Sequence, residues 1–421
     1  MKSLRFVLFL ARPFIQISDW PFIAVMRPKC LFGLCGNNHG SLVKTRSVSR
    51  RYRESRIVTI TITVVILIAG LVVGQAPVAA ELSLVDRIDQ AMVSHYPSDE
   101  PGASVLVARN GEVVFRGAYG LASVELQVPV RPDLVFGLAS VTKLFTAVAA
   151  MMLVDEGALR LEDRVIDYIP TLTKTGGVTI AHLLSHTSGM TGPISTNPSY
   201  RIEYIHRKIT PEELIASYAD FALEFTPGER FKYSNEGIAT LARIVEIVSK
   251  QSWEAFLQER IFEPAGMKST YYGGHYRIIP MSVSGYTKGD SGWRQANPTS
   301  FTRGFGMGGL FSTVDDLFVW YKALLAGRLV KPATLEAMFT PFPLNGGGYS
   351  RHGFGFVVAD RDGHKIISHG GSHTGISTFI ALLPDDGIFV TVLTNRSVRE
   401  RRARDDVMAI IDILLEKPGC W

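Results

Sequence analysis

Ser140 and Lys143 are the residues whose types and spacing could most directly do chemistry. They lie in Phe136-Gly-Leu-Ala-Ser140-Val-Thr-Lys143-Leu-Phe-Thr-Ala-Val-Ala-Ala150. The stretch reads as an apolar helix, on which residues three apart share a face with Cβ atoms about 5–6 Å apart. A serine hydroxyl is a weak nucleophile at neutral pH, and a lysine can take its proton if desolvation lowers the amine's pKa. The apolar neighbours of Lys143 supply that desolvation. A helix start adds free N–H groups and a positive dipole end that can stabilise an oxyanion at Ser140. In the other reading Ser140 caps the helix and Lys143 is a solvated charge. Spacing alone does not decide, because Ser41-Leu-Val-Lys44 repeats it.

Three further stretches carry reactive or substrate-binding residue types. Thr226-Pro-Gly-Glu-Arg-Phe-Lys-Tyr233-Ser-Asn235-Glu-Gly is a polar loop running into a helix over 238–249. There Tyr233 could move a proton and Asn235 could hold a substrate amide. Ser368-His369-Gly-Gly371-Ser372-His-Thr-Gly375 ends a predicted strand, where glycines admit a close backbone approach. Ile180-Ala-His-Leu-Leu-Ser-His186-Thr-Ser-Gly189 reads as a helix end with a glycine stop.

The elements that must position these residues follow from periodicity and turn chemistry. Residues 82–95 fit an amphipathic helix. Ala103–Arg109 and Glu112–Gly117 form a hairpin around Asn110-Gly111. Strands return at 353–360, 365–369, 376–383 and 388–394, with turns at Asp362-Gly363 and Pro384-Asp-Asp-Gly387, and a helix over 404–415 closes the chain. Thr210-Pro-Glu-Glu213 is a capping box, and Ser312-Thr-Val-Asp315 is expected to open a helix over 317–326 in the same way. The expected fold is α+β: an antiparallel sheet built from both chain ends and flanked by helices, with a mostly helical lobe inserted at about 160–340 and a cleft at the junction.

Ser-x-x-Lys, then Tyr-x-Asn, then His-x-Gly in place of Lys-Thr-Gly, resembles the serine hydrolases that include class C β-lactamases, D,D-peptidases and related esterases with a penicillin-binding fold. Leu-Leu-Ser-His-Thr-Ser-Gly and Pro-Gly-Glu-Arg-Phe-x-Tyr-Ser-Asn are also typical of that family, and the likeness runs in order over residues 84–395. It implies an acyl-enzyme mechanism on an amide or ester carbonyl of a D-amino-acid peptide, β-lactam or small ester. Ser140 would be the nucleophile, with Lys143 and Tyr233 sharing the proton transfers. The N–H groups of Ser140 and Ser372 would hold the oxyanion. Asn235 would orient a substrate amide, and His369 with Gly371 would line the substrate's edge. The third motif departs from the common pattern, since His369 replaces a lysine whose charge helps to hold a substrate carboxylate. An unperturbed histidine, with a pKa of about 6.5, is mostly neutral at pH 7. The strand before it carries Val357-Val358 rather than an arginine, which puts an esterase or a broader peptidase at least level with an efficient β-lactamase. The competing class of answer is a non-catalytic module binding peptidoglycan peptides or penicillin.

Charge and composition exclude other classes. The chain of 421 residues is 46% hydrophobic and 20% charged, ordinary for globular protein. Residues 1–80 hold 11 Lys and Arg against 2 Asp and Glu, leaving 33 against 37 for residues 81–421. The leader therefore carries +9 and the rest −4 of the net +5, and nucleic-acid binding has no electrostatic basis in the rest. Residues 1–80 read as a leader whose charge-free run at 57–73, behind Arg50, Arg51, Arg53 and Arg56, is a signal peptide or membrane anchor. Residues 81–421 are then the hydrolase domain, placed outside the cytoplasm in the periplasm or beyond. Cys30, Cys35 and Cys420 give neither a disulfide framework nor a metal site. His182 and His186 lack the glutamate of a zinc helix, and Gly304–Gly309 lacks the flanking strand of a dinucleotide loop. The latter is expected to be a tight turn lining the cleft. No metal or cofactor is expected, and the expected partner is a small-molecule or peptide substrate.

Overall fold

A computed structural model describes residues 82–196, 206–398 and 401–416. Ala79–Trp421 forms one compact unit. The apolar run at 57–73, Ser41-Leu-Val-Lys44 and the three cysteines lie outside the described residues. Among the described residues no helix is long and apolar enough to cross a membrane.

Six antiparallel strands form the main sheet: β1 (Ala103–Arg109), β2 (Glu112–Tyr119), β3 (Val357–Arg361), β4 (His364–His373), β5 (Ile376–Leu383) and β6 (Ile388–Thr394). Their spatial order is β3-β4-β5-β6-β1-β2. The first two strands of the chain thus complete a sheet begun by its last four. The two predicted two-residue hairpin turns each place both residues at positive φ, Asn110 (52°) with Gly111 (82°) and Asp362 (54°) with Gly363 (86°). That backbone twist matches the twist of the flanking strands.

β1 is buried on both faces, so its side chains alternate between two cores. Ala103, Val105 and Val107 join Ile88 and Met92 of α1 (Leu84–His95), and Val407, Ile410 and Ile411 of the C-terminal helix. Leu106 and Ala108 join the larger core around α2 (Thr142–Asp155), α3 (Asn235–Ser249) and α4 (Val314–Leu325). The C-terminal helix is α5 (Ala403–Leu415). Every residue of α2 from Thr142 to Leu153 is buried, which is why its sequence shows no polar face.

Several boundaries differ from the sequence-based expectation for local reasons. Phe136–Gly137 is a short strand paired with Leu310–Ser312, and Ala139–Val141 is a 3-10 turn, so α2 begins two residues after Ser140. Gly353–Phe356 does not join the sheet, because it packs against other backbone and against α2. A Cβ on Gly353 would stand 2.2 Å from the Met338 carbonyl oxygen, and one on Gly355 2.5 Å from Ala147 Cβ. Thr313 rather than Ser312 caps α4, accepting from Asp316 N, while Ser312 Oγ pairs with Thr270 Oγ1 at 2.8 Å. The capping box at Thr210 and Glu213 forms with Pro211 in the first turn, as expected. The helix at residue 180 ends at Leu184, and His186 itself turns the chain at φ 56°, so His182 and His186 do not share a helix face.

Candidate active site

Ser140 is held in place by a backbone turn gripped from two sides. The Leu138 carbonyl accepts from Val141 N at 3.2 Å and from Thr378 Oγ1 of β5 at 2.8 Å, while Leu138 N donates to the Leu310 carbonyl at 2.8 Å. Ala139 is forced to φ 45°, a left-handed conformation that costs a residue with a Cβ about 1–2 kcal/mol. β4 crosses directly over this turn. A Cβ on Gly371 would meet Leu138 O and Thr378 Oγ1, each at 2.3 Å, and Ser140 N at 3.1 Å.

Gly371→Ala therefore forces β4 off the turn. We expect it to cost about 1–3 kcal/mol of stability by overpacking. Misplacing Ser140 relative to Ser372 should also slow ester formation about 100-fold. Thermal melting and single-turnover acylation check this, and a variant with unchanged values of both would show that the close approach is not needed.

Lys143 is 1% exposed, and its Nζ lies 3.1 Å from Ser140 Oγ and 2.6 Å from the Met307 carbonyl oxygen. Burial lowers its pKa from 10.5 to about 7, against the raising pull of the Glu236 carboxylate. The glycine-rich stretch at 304–309 is the turn that supplies the Met307 carbonyl. Gly306 lies at φ 68°, and its carbonyl accepts from Thr146 Oγ1 at 2.6 Å, fastening the turn to α2. An amine that donates to Met307 keeps a lone pair for the Ser140 hydroxyl when it is neutral.

Tyr233 comes from the irregular segment before α3, with its ring centroid 5.0 Å from Lys143 Nζ. Burial raises its pKa, opposed by a hydrogen bond with Ser140, so the phenol keeps its proton at neutral pH. Ser234 caps α3 by accepting from Gly237 N at 2.9 Å, which places Asn235 at the helix start facing the cleft. The next residue, Glu236, is fully buried and accepts from Ser195 N and Oγ at 3.1 and 2.7 Å, anchoring the segment Pro193–Thr196 over the cleft.

His369 pairs with Ile380 in the sheet, and its Nδ1 lies 2.8 Å from the Gly370 carbonyl oxygen. A carbonyl can only accept, so Nδ1 carries the proton and Nε2 the lone pair. Burial, with Lys143 and His352 nearby, lowers its pKa to about 3. The imidazole is thus neutral across the physiological range and does not replace a lysine's charge.

The cleft has two halves. One, of about 380 Å³, is lined by Asn235, Ser195, Phe301, Arg303 and Met307, and the other, of about 420 Å³, by His352, His369, Gly371, Thr378, Arg402 and Arg404. Ser140, Tyr233 and Ser372 line both. The seven residues singled out from sequence thus converge, with Lys143 buried behind Ser140. Sequence reasoning missed Arg402 and Arg404, which begin α5 about 30 residues after His369 and carry no motif. It also missed His352, whose only signal is its place before Gly353. Among the described residues no group of three or more His, Cys, Asp or Glu is arranged to hold a metal.

Comparison with known proteins agrees with the fold. The sequence profile of the family described as Beta-lactamase matches residues 89–415. The chain is 29% identical over 336 residues to Penicillin-binding protein 4* of Bacillus subtilis (strain 168), covering 75% of this chain and 72% of that one. The structure superposes on an octameric penicillin-binding protein homologue from Pyrococcus abyssi with a TM-score of 0.66 and 30% identity, over 78% of this chain and 76% of that one. A D-amino acid amidase from Ochrobactrum anthropi SV3 shares the fold at a TM-score of 0.69 and 21% identity, over 79% and 98% of the two chains. The chain belongs to the Beta-lactamase family.

Proposed function

We propose that this protein is a serine hydrolase that forms an ester at Ser140 from an amide or ester substrate and then hydrolyses it. The observation that carries the reading is Lys143 Nζ, buried and 3.1 Å from Ser140 Oγ at the point where the two cleft halves meet. Ser140 Oγ bonds to the substrate carbonyl carbon as its proton passes to Lys143 Nζ. The oxyanion lies between the N–H groups of Ser140 and Ser372. Collapse breaks the bond to the leaving group, which takes a proton through Tyr233, refilled from Lys143. Water then attacks the ester, the acid departs and Ser140 regains its proton. Lys143 is the base in the first step, because the phenol of Tyr233 is still protonated when the amine is half neutral. A module that only binds has no use for a buried lysine, whose desolvation costs stability.

Asn235 places the acyl group in the first half of the cleft, and the leaving group enters the second. There His369 brings no charge, and the cations are Arg402 and Arg404. This favours a leaving group bearing a carboxylate, as in a peptide ending in a D-amino acid, over a neutral alcohol. A charge-assisted hydrogen bond to an exposed arginine is worth about tenfold in rate. We expect N-acyl-D-Ala-D-Ala to exceed its C-terminal amide by that factor in kcat/KM, and Arg402→Ala with Arg404→Ala to erase the preference. Equal rates on acid and amide in the wild type would contradict it. The run at 57–73 supports a location outside the cytoplasm, reached through a signal peptide or membrane anchor.

A further inference from the structure

Tyr233 must present its hydroxyl to Ser140 from a segment with no regular structure, so something outside that segment has to fix its ring. His186 meets three consecutive residues there. Its carbonyl accepts from Lys232 N at 2.9 Å, and its Nδ1 accepts from Ser234 N at 3.2 Å. Between these, its ring stacks on Tyr233 with centroids 4.5 Å apart and planes at 29°. The grip requires the left-handed backbone at His186, φ 56°, which turns the carbonyl and the ring toward the same segment. A backbone N–H donating to Nδ1 fixes the neutral tautomer with its proton on Nε2. His186 is 1% exposed, and its Nε2 has no protein partner. His352 closes the back of the arrangement, edge-on to His186 with centroids 5.4 Å apart, and itself stacks on Phe231 at 4.5 Å.

We propose that His186 is a positioning residue for proton transfer, holding the Tyr233 ring at the angle from which its hydroxyl reaches Ser140. This rests on the reading of Tyr233 as a participant in acyl transfer. Imidazole suits the task because it offers a flat face and an in-plane acceptor on a short side chain. Phenylalanine keeps the face and loses the acceptor. Asparagine keeps an acceptor and tolerates the left-handed backbone, and loses the face.

The test is a double-mutant cycle in the full chain, with p-nitrophenyl acetate turnover and intact-mass detection of the ester at Ser140. His186→Phe should lower kcat about 10- to 100-fold with KM changed less than threefold, the loss expected of a small misplacement. His186→Asn should recover part of that loss. In a Tyr233→Phe background neither substitution should cost anything further, because the group being positioned is gone. A structural role alone would lower kcat equally in both backgrounds, and that result overturns the proposal. So does wild-type kcat in both single variants. If His186→Phe fails to fold, His186→Asn alone and with Tyr233→Phe completes the cycle. Absence of any ester at Ser140 in the wild type would refute the catalytic reading, and this proposal with it. Normal ester formation in the His186 variants would refute the proposal alone.

Discussion

Lys143→Met is expected to remain folded while forming the ester at Ser140 about 10,000-fold more slowly, the upper end of what a positioned base supplies. In the proposed mechanism the lysine does not act by charge, since an ammonium has no lone pair with which to take the serine proton. Its pKa of about 7 fixes the sign of the pH dependence. As pH falls below 7 the amine protonates and kcat/KM should drop tenfold per pH unit, whereas above 7 it should level off. Lys143→Arg, charged at every accessible pH, should match the methionine variant. The same pKa acts on stability. Because the folded-state value lies below that of the unfolded chain, the unfolded state holds the extra proton between pH 7 and about 10, and stability rises with pH across that window. Methionine removes this slope and the cost of burying an amine. It leaves the Met307 carbonyl without its donor, a penalty of about 1–3 kcal/mol. A desolvation strong enough to move the amine to about 7 outweighs that penalty. At pH 7 the variant should therefore melt no lower than the wild type. An active Lys143→Met enzyme, or a flat pH profile between 5 and 8, would remove Lys143 from the role of base.

Much of the fold was legible because its signals are local. Runs rich in apolar residues and bounded by turn signals marked the strands, Asn110-Gly111 and Asp362-Gly363 supplied the two-residue turns, and Thr210 with Glu213 supplied a cap. Boundaries slipped where a distant backbone decides the local conformation. Phe136–Gly137 has helix-compatible residues, yet pairs with Leu310–Ser312 and delays α2 until Thr142. Gly353 and Gly355 look like strand residues, yet they serve a close approach to Met338 and Ala147. The residues that meet at the cleft were legible through the order Ser140, Lys143, Tyr233, Asn235, His369, because that order resembles a known family, whereas the Ser140–Lys143 spacing alone recurs at Ser41 and Lys44. The second half of the cleft was not. Arg402 and Arg404 reach it only because α5 packs under β5 and β6, a tertiary relation with no local signature. The arginines lining this half thus stand at the start of α5 and not on the strand preceding His369. The role of His186 was hidden too, since its left-handed backbone at a non-glycine residue cannot be read from composition.

Ser140→Ala should abolish ester formation altogether, a larger effect than any other substitution here, because no bond can form to a methyl group. The cleft holds other hydroxyls at Ser195, Ser300 and Ser372, so loss of turnover alone would not identify the attacking atom. Two of them also have a proton acceptor at hand, Ser195 Oγ donating to the Glu236 carboxylate at 2.7 Å and Ser300 Oγ lying 3.0 Å from His275 Nδ1. The decisive measurement is the intact mass of wild type and Ser140→Ala after exposure to a fluorophosphonate, with the modified peptide sequenced. One adduct per chain on Ser140 in the wild type and none in the variant is the predicted result. An adduct of equal yield in Ser140→Ala, or one mapped to another cleft serine, would contradict Ser140 as the nucleophile.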